Sequence, residues 1–250
     1  MELEAFIACL KQSRDIVFFT GAGISTESGV PDFRSPGGLW TKYQPVYFQD
    51  FLASEAARIQ HWRLKKATYE LYKTVQPNIG HYAIRDFEAR DQLLGLITQN
   101  IDGLHSIAGV SAEKIIELHG TDRLVTCLRC QKRFEPASIY EGLGEEFSAP
   151  TCDVCGGLLK SANVSFGQQM PVEAMKRAQT WSEAADIFIV VGSSLQVQPA
   201  ASFPVIAKHG GAMLAIINRE GTPLDDLADF VHRGAIGDFF AQLASRLTDA

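Results

Sequence analysis

Asp15-Ile-Val-Phe-Phe-Thr-Gly-Ala-Gly23 is a continuous apolar run that stops at a pair of glycines. A strand with one wet face would alternate polar and apolar residues. An unbroken run of this length reads instead as a strand buried on both faces, as in a parallel sheet. Residues 93–98, 186–191 and 213–218 repeat the pattern, each ending at a small or polar residue. Helical patterns lie between these runs. The first helix is expected over residues 2–13, with Leu3, Phe6, Ile7 and Leu10 on one face. Strands alternating with helices predict an α/β fold, a doubly wound, Rossmann-like parallel sheet. Such sheets bind ligands beyond the carboxyl ends of their strands. The polar clusters Gly21-Ala22-Gly23, Gln99-Asn100-Ile101-Asp102, Gly192-Ser193-Ser194 and Asn218-Arg219-Glu220 all fall at those ends.

A second signal interrupts this rhythm. Cys127-Leu-Arg-Cys130 and Cys152-Asp-Val-Cys155 are two CxxC knuckles, and Cys9 is the one remaining cysteine. Their spacing is that of a four-thiolate zinc site, since each knuckle offers two sulfurs to one tetrahedral ion. Two disulfides or buried free thiols are the alternatives. A closed four-cysteine site has no open coordination position, so one structural Zn2+ ion is expected and the chemistry must lie elsewhere. Gly156 and Gly157 after the second knuckle give the permissive backbone a tight metal turn needs. Cys9 falls on the apolar face of the first helix and is expected to be a small core residue.

With 250 residues, of which 46% are hydrophobic, the chain can bury a full core. No apolar run reaches the ~18 residues that span a bilayer. The start, Met1-Glu2-Leu3-Glu4, is acidic where a signal peptide would be basic. A cytoplasmic location with no membrane partner is expected, and thiols stay reduced there. The formal charge of −6 comes with no dense Lys/Arg stripe, which argues against direct nucleic-acid binding. A monomer is expected.

The loop after the first run reads Thr20-Gly-Ala-Gly-Ile-Ser-Thr-Glu-Ser-Gly-Val-Pro-Asp-Phe-Arg34. Glycines there let a backbone approach a pyrophosphate closely. A lone Gly-x-Gly also fits a plain strand-to-helix turn. The dehydrogenase fingerprint is not met, because Thr26 stands at its third glycine. Two further motifs, Thr98-Gln-Asn-Ile-Asp-Gly-Leu-His105 and Glu117-Leu-His-Gly120, put amides, a carboxylate and a histidine near strand ends. Together with the paired CxxC, Gly192-Ser-Ser-Leu195 and Asn218, these motifs resemble the sirtuins, NAD-dependent protein-lysine deacylases. The resemblance runs in matching order from Val17 to Phe240.

The resemblance implies NAD, consumed as co-substrate, and acylated-lysine proteins or peptides as partners. It implies that Gly21, Ala22 and Gly23 cradle the NAD phosphates through backbone N–H groups. Glu27, Asp32, Phe33 and Arg34 would form a cofactor loop, with Phe33 shielding the ribose carbon. Gln99 and Asn100 would hold the nicotinamide ribose, and Ile101 and Asp102 the carboxamide. Gly192, Ser193 and Ser194 would meet phosphates and the adenosine ribose. Asn218, Arg219 and Glu220 would take the adenosine side, with Ile236 over adenine. Thr26 and Trp40 complete the expected cofactor set. His119 would be the general base and Asn100 its catalytic companion. In the implied reaction the acyl oxygen displaces nicotinamide, giving an O-alkylamidate. His119 then accepts a ribose proton so that the 2′-hydroxyl can attack, an imidazole being suited by a pKa near working pH. The products are free lysine, nicotinamide and 2′-O-acyl-ADP-ribose.

Val164, Phe166 and Gly167 are expected to bind the substrate peptide by backbone pairing, opposite residues 194–197. The run Lys160-Ser-Ala-Asn-Val-Ser-Phe-Gly-Gln168 departs from the family pattern Lys-Pro-x-Val-Val-x-Phe-Gly-Glu. Asn163 replaces an apolar residue and Gln168 replaces an acid. No Tyr-x-x-Arg pair for acidic acyl groups occurs over residues 36–78, so acetyl or another uncharged acyl group is expected. His105 could be structural or line the site, and His61, His81, His209 and His232 read as structural. The aromatic residues of 36–78 read as packing. Residues 1–35, 79–120 and 161–250 are expected to form the NAD-binding domain, 36–78 a helical insert and 121–160 a zinc module. NAD hydrolysis or ADP-ribosyl transfer on the same scaffold, and a non-catalytic NAD-binding or zinc-scaffold protein, are the competing readings.

Overall fold

The run read first is strand β1 (Ile16–Thr20), and all five of its residues are buried. It sits near the middle of a six-stranded parallel sheet, flanked by β2 (Leu93–Thr98) and β7 (Ile187–Val191). β3 (Ile115–Glu117) extends the sheet beyond β2, while β8 (Met213–Ile217) and β9 (Phe230–His232) extend it beyond β7. The order is β3-β2-β1-β7-β8-β9, so chain direction across the sheet reverses between β1 and β7. A computed structural model describes residues 1–32, 37, 38, 41 and 43–247.

Side chains on successive strand residues point to opposite faces. Accordingly Ile16 and Phe18 join one core, and Val17 and Phe19 the other. The first core is closed by α1 (Leu3–Gln12), α4 (Ile79–Ala89) and α9 (Ile236–Leu247), through Phe6, Ile84, Phe87, Phe239 and Phe240. The second is closed by α7 (Val172–Ala184) and α8 (Phe203–His209), through Ala178, Phe203 and Ala207. Each phenylalanine buried in this way contributes roughly 1.5–3 kcal/mol. Both faces are therefore covered, which is why β1 carries no polar alternation. Cys9 is partly buried and packs against the first core, as its helix face implied.

β4 (Gly120–Cys127) is the middle strand of a separate antiparallel sheet, between β5 (Arg133–Phe134) and β6 (Leu159–Asn163). Over it pack α3 (Glu55–Tyr72) and the short α6 (Pro136–Tyr140), with Trp62, Tyr140, Val125 and Leu159 in the shared core. α3 is preceded by α2 (Phe48–Ala53) and starts at Ser54, whose hydroxyl accepts the Ala57 N–H. Lys65 Nζ donates to Asp122 Oδ2 at 2.7 Å, a buried ion pair that ties α3 to β4. Part of the aromatic set of this segment packs: Phe51, His61, Trp62 and Tyr69 form a chain of ring contacts with Tyr140, while Tyr47 is exposed.

Candidate active site

Two backbones meet where β1 and β7 end. Gly21 N donates to Val191 O at 3.0 Å, and Gly23 N donates to Gly192 O at 2.8 Å. A Cβ on Gly21 would lie 2.7 Å from Gly192 O, and one on Gly192 would lie 2.3 Å from Ile24 N. Gly192 also holds a left-handed φ of 63°. Glycine is thus required by close approach. Gly21 and Gly23 give their N–H groups to these protein carbonyls, so the turn is held by its own backbone. Ala22 opens the 3₁₀ turn Ala22–Ser28, where a first-turn N–H has no intrahelical acceptor. Glu27, later in that turn, accepts the Gly237 N–H at 3.1 Å and so caps α9.

β2 delivers the amide and carboxylate cluster. Gln99 Nε2 donates to Ser193 Oγ at 2.8 Å, linking the β2 end to the β7 end. Asn100 Nδ2 donates to Gly21 O at 3.1 Å and to Ser25 Oγ at 3.2 Å. The Ser25 hydroxyl donates to Asp102 Oδ2 at 2.7 Å, and Leu104 N to Asp102 Oδ1 at 2.9 Å. Burial pushes the Asp102 carboxyl above its ordinary value, against these two bonds. Beneath lies a network that sequence reasoning left out. The Thr20 hydroxyl donates to Thr98 Oγ1 at 2.8 Å and lies 3.0 Å from His105 Nε2. His81 meets His105 in a tilted ring contact, 4.7 Å between centroids, and caps α4 with Asn78. His105 is fully enclosed here, which settles its open assignment as a supporting residue under the site.

His119 follows β3. Its Nδ1 lies 3.0 Å from the Gln99 carbonyl oxygen. A carbonyl only accepts, so Nδ1 carries the proton and Nε2 is the basic nitrogen. Burial holds the His119 pKa below the usual histidine value, with the carbonyl bond acting in the opposite direction. The imidazole is therefore neutral near pH 7. Val164 N donates to the His119 carbonyl at 2.7 Å, bringing the end of β6 alongside.

These residues line one cleft of about 630 Å³ between the two sheets. It holds Gly21, Ala22, Gly23, Thr26, Glu27, Asp32, Gln99, Asn100, Ile101, His119, Gly192, Ser193, Ser194, Asn218, Arg219, Glu220 and Ile236. Val164, Phe166 and Gly167 line it from the small-sheet side, and Val197 from the other. Asn218 Nδ2 donates to Glu220 O at 2.8 Å, which shapes the turn after β8. Asp102 faces a small adjoining recess with Ala22, Ser25, Val30, Tyr72 and Asn100. Phe33, Arg34 and Trp40 lie outside the described residues. His61, read from the sequence as structural, and Lys65 also line the cleft from α3.

The four sulfurs of Cys127, Cys130, Cys152 and Cys155 lie within 4.8 Å of one another, and none is in a disulfide. Arg129 N and Cys130 N both point at Cys127 Sγ, at 3.4 and 3.5 Å. A Cβ on Gly157 would lie 2.9 Å from Cys127 Sγ and 3.2 Å from Cys155 Sγ. Four soft donors around a space kept clear by glycine fit a single structural zinc ion.

A glycine-lined cleft at the switch point of a doubly wound sheet, beside a four-cysteine module, defines a nucleotide-binding α/β protein. Residues 21–199 match the model of the Sir2 family. The NAD-dependent protein deacetylase 1 of Bradyrhizobium diazoefficiens is 46% identical over 92% of this chain and 90% of its own length. The NAD-dependent protein deacylase 1 of Archaeoglobus fulgidus is 37% identical over 99% of this chain and 98% of its own. Among solved structures, a Sir2 with a deacetylated p53 peptide and 3′-O-acetyl ADP ribose superposes with a TM-score of 0.90. It is 35% identical, and the match covers 98% of each chain. The chain belongs to the Sir2 family.

Proposed function

We propose that this protein is an NAD-dependent protein-lysine deacetylase, releasing nicotinamide and 2′-O-acetyl-ADP-ribose. The observation that carries the reading is His119: a half-buried, neutral imidazole, oriented by the Gln99 carbonyl, in the same cleft as the glycine turn. Its Nε2 accepts the ribose proton. Ala22 N–H and the Ser193 and Ser194 hydroxyls hold the phosphates, and the chain needs no hydride machinery because NAD is consumed. Asn100 and Asp102, fixed by Ser25, hold the nicotinamide end. Gln99 positions the ribose, Asn218, Arg219 and Glu220 meet adenosine, and Glu27, Asp32, Phe33 and Arg34 cover the site. The acyl-lysine segment lies between Val164, Phe166 and Gly167 on one side and residues 194–197 on the other. Support for this set is that its described members line one cleft, except Leu195, and Asp102 and Ser25, which lie in the recess that adjoins it.

The same reading assigns residues 1–35, 79–120 and 161–250 to NAD binding, 36–78 to a helical insert and 121–160 to the zinc module. Every strand of the large sheet falls in the first set and all four zinc-site cysteines fall in the last. A monomer in the cytoplasm, with no nucleic-acid partner, completes it. No described helix is long and apolar enough to cross a membrane.

The test is mass spectrometry of an acetyl-lysine peptide incubated with the protein, with and without NAD, beside His119→Ala. NAD-dependent loss of acetyl with matching acetyl-ADP-ribose, absent in the variant, is expected. Free ADP-ribose with an unchanged peptide would replace the reading by NAD hydrolysis.

A further inference from the structure

The small-sheet side of the cleft carries polar groups for which an acetyl methyl has no use. His61 and Lys65 reach it from α3, and Asn163 reaches it from the end of β6. Ser161 and Asn163 are two of the places where this chain leaves the family pattern, and both enter one network. Lys160 Nζ donates to Asn163 Oδ1 at 3.0 Å, and the Ser161 hydroxyl donates to the same oxygen at 2.9 Å. The Ser161 oxygen is then the acceptor for His61 Nε2, at 3.2 Å.

This chain of donors fixes two orientations. His61 carries its proton on Nε2, so Nδ1 is an acceptor. Burial holds its pKa well below the ordinary value, so the ring stays neutral. Asn163 Oδ1 is occupied, which leaves its amide N–H₂ as a donor with no recorded protein acceptor among the described residues. Lys65 is neutralised by Asp122. His61 and Asn163 both line the cleft and are bonded through Ser161, so they sit on one patch. That patch adjoins His119: Asn163 pairs with Gly120 across the β4–β6 ladder.

An apolar chain pressed on this patch would leave a buried donor and a buried acceptor unpaired. A carboxylate, which only accepts, would face the His61 lone pair. A hydroxyl donates and accepts at once and matches both groups. We propose that the cleft takes, besides acetyl, short hydroxyacyl groups on lysine, their hydroxyl donating to His61 Nδ1 and accepting from Asn163 Nδ2. The proposal rests on the deacetylase reading and extends its acyl range.

The experiment compares kcat/KM on one peptide carrying acetyl-, butyryl-, 3-hydroxybutyryl- or succinyl-lysine, with NAD. Wild type, Asn163→Val and His61→Phe are used, with melting curves for each. Wild type should remove 3-hydroxybutyryl about tenfold faster than butyryl, the value of one satisfied buried hydrogen-bonding group. That ratio should fall to about one in either folded variant. Butyryl removed as fast as 3-hydroxybutyryl by wild type, or succinyl removed fastest, would overturn the proposal without any variant. A ratio unchanged in both variants would overturn the assignment to His61 and Asn163. Acetyl removal with no hydroxyl preference sinks this inference alone, whereas no acetyl removal sinks the deacetylase reading with it.

Discussion

His119 is the residue on which pH acts most directly. A general base works only unprotonated, and burial lowers the pKa of this one. Activity, read as kcat/KM, should therefore persist below pH 6.5 and fall only as pH drops through the lowered value. An acid limb centred above 6.5 would contradict the assignment. His119→Ala should lower the rate about 10²–10⁴-fold, the usual worth of a positioned base. Gln168 supports a second prediction. Its Oε1 accepts the Ser165 N–H at 3.1 Å, a bond that a glutamate can also accept. Gln168→Glu should keep the local turn and raise selectivity for peptides with Lys or Arg beside the target lysine; an unchanged profile on a peptide array would remove that idea. His119, Asn100 and Asp102 were legible in the sequence because short motifs carry them. His61 was not. Its meaning comes from Ser161, 100 positions away, and exists only once α3 lies on β6.

Between elements, the tie from α3 to β4 is a buried ion pair whose members are both nearly inaccessible. Lys65→Met strands the Asp122 charge and should cost about 3–5 kcal/mol in urea unfolding. Adding Asp122→Leu should recover most of that loss, and a double variant as unstable as the single would refute the pairing. In the knuckles, Gly157→Ala drives a methyl onto Cys127 Sγ and Arg129 Cβ. Zinc content after dialysis against a chelator should fall below one ion per chain, with a lower melting temperature. The four long strands were readable because each is an unbroken apolar run ending in a polar cluster. β3 and β9, at three residues each, are too short to show a period. They were missed for that reason, although β3 is what carries Glu117 and His119 to the edge of the cleft. Cysteine spacing gave the metal module, but not that β6 pairs with β4 as far as Asn163.

For the whole molecule, acid is the weakness that its buried and half-buried histidines build in. His61, His81, His105 and His119 all have pKa values lowered by burial, His81 to about 4. Below pH 6.5 the unfolded chain takes up protons that the folded one refuses, so stability falls as pH drops from about 6.5 toward 4. His81 alone is worth about 3 kcal/mol across that window. Glu117, raised to about 7, and Asp102, also raised, act in the opposite direction. Four histidines against two carboxyls leave acid destabilising, and urea midpoints at pH 7 and pH 5 should show it. The sheet order has its own consequence during synthesis. β1 is made first, yet one of its two partners, β7, begins only at Ile187. Until then the chain emerging from the ribosome carries an apolar strand with one edge open, a template for pairing with a neighbouring nascent chain. That exposure ends only about three-quarters of the way through translation, when β7 closes the second edge of β1.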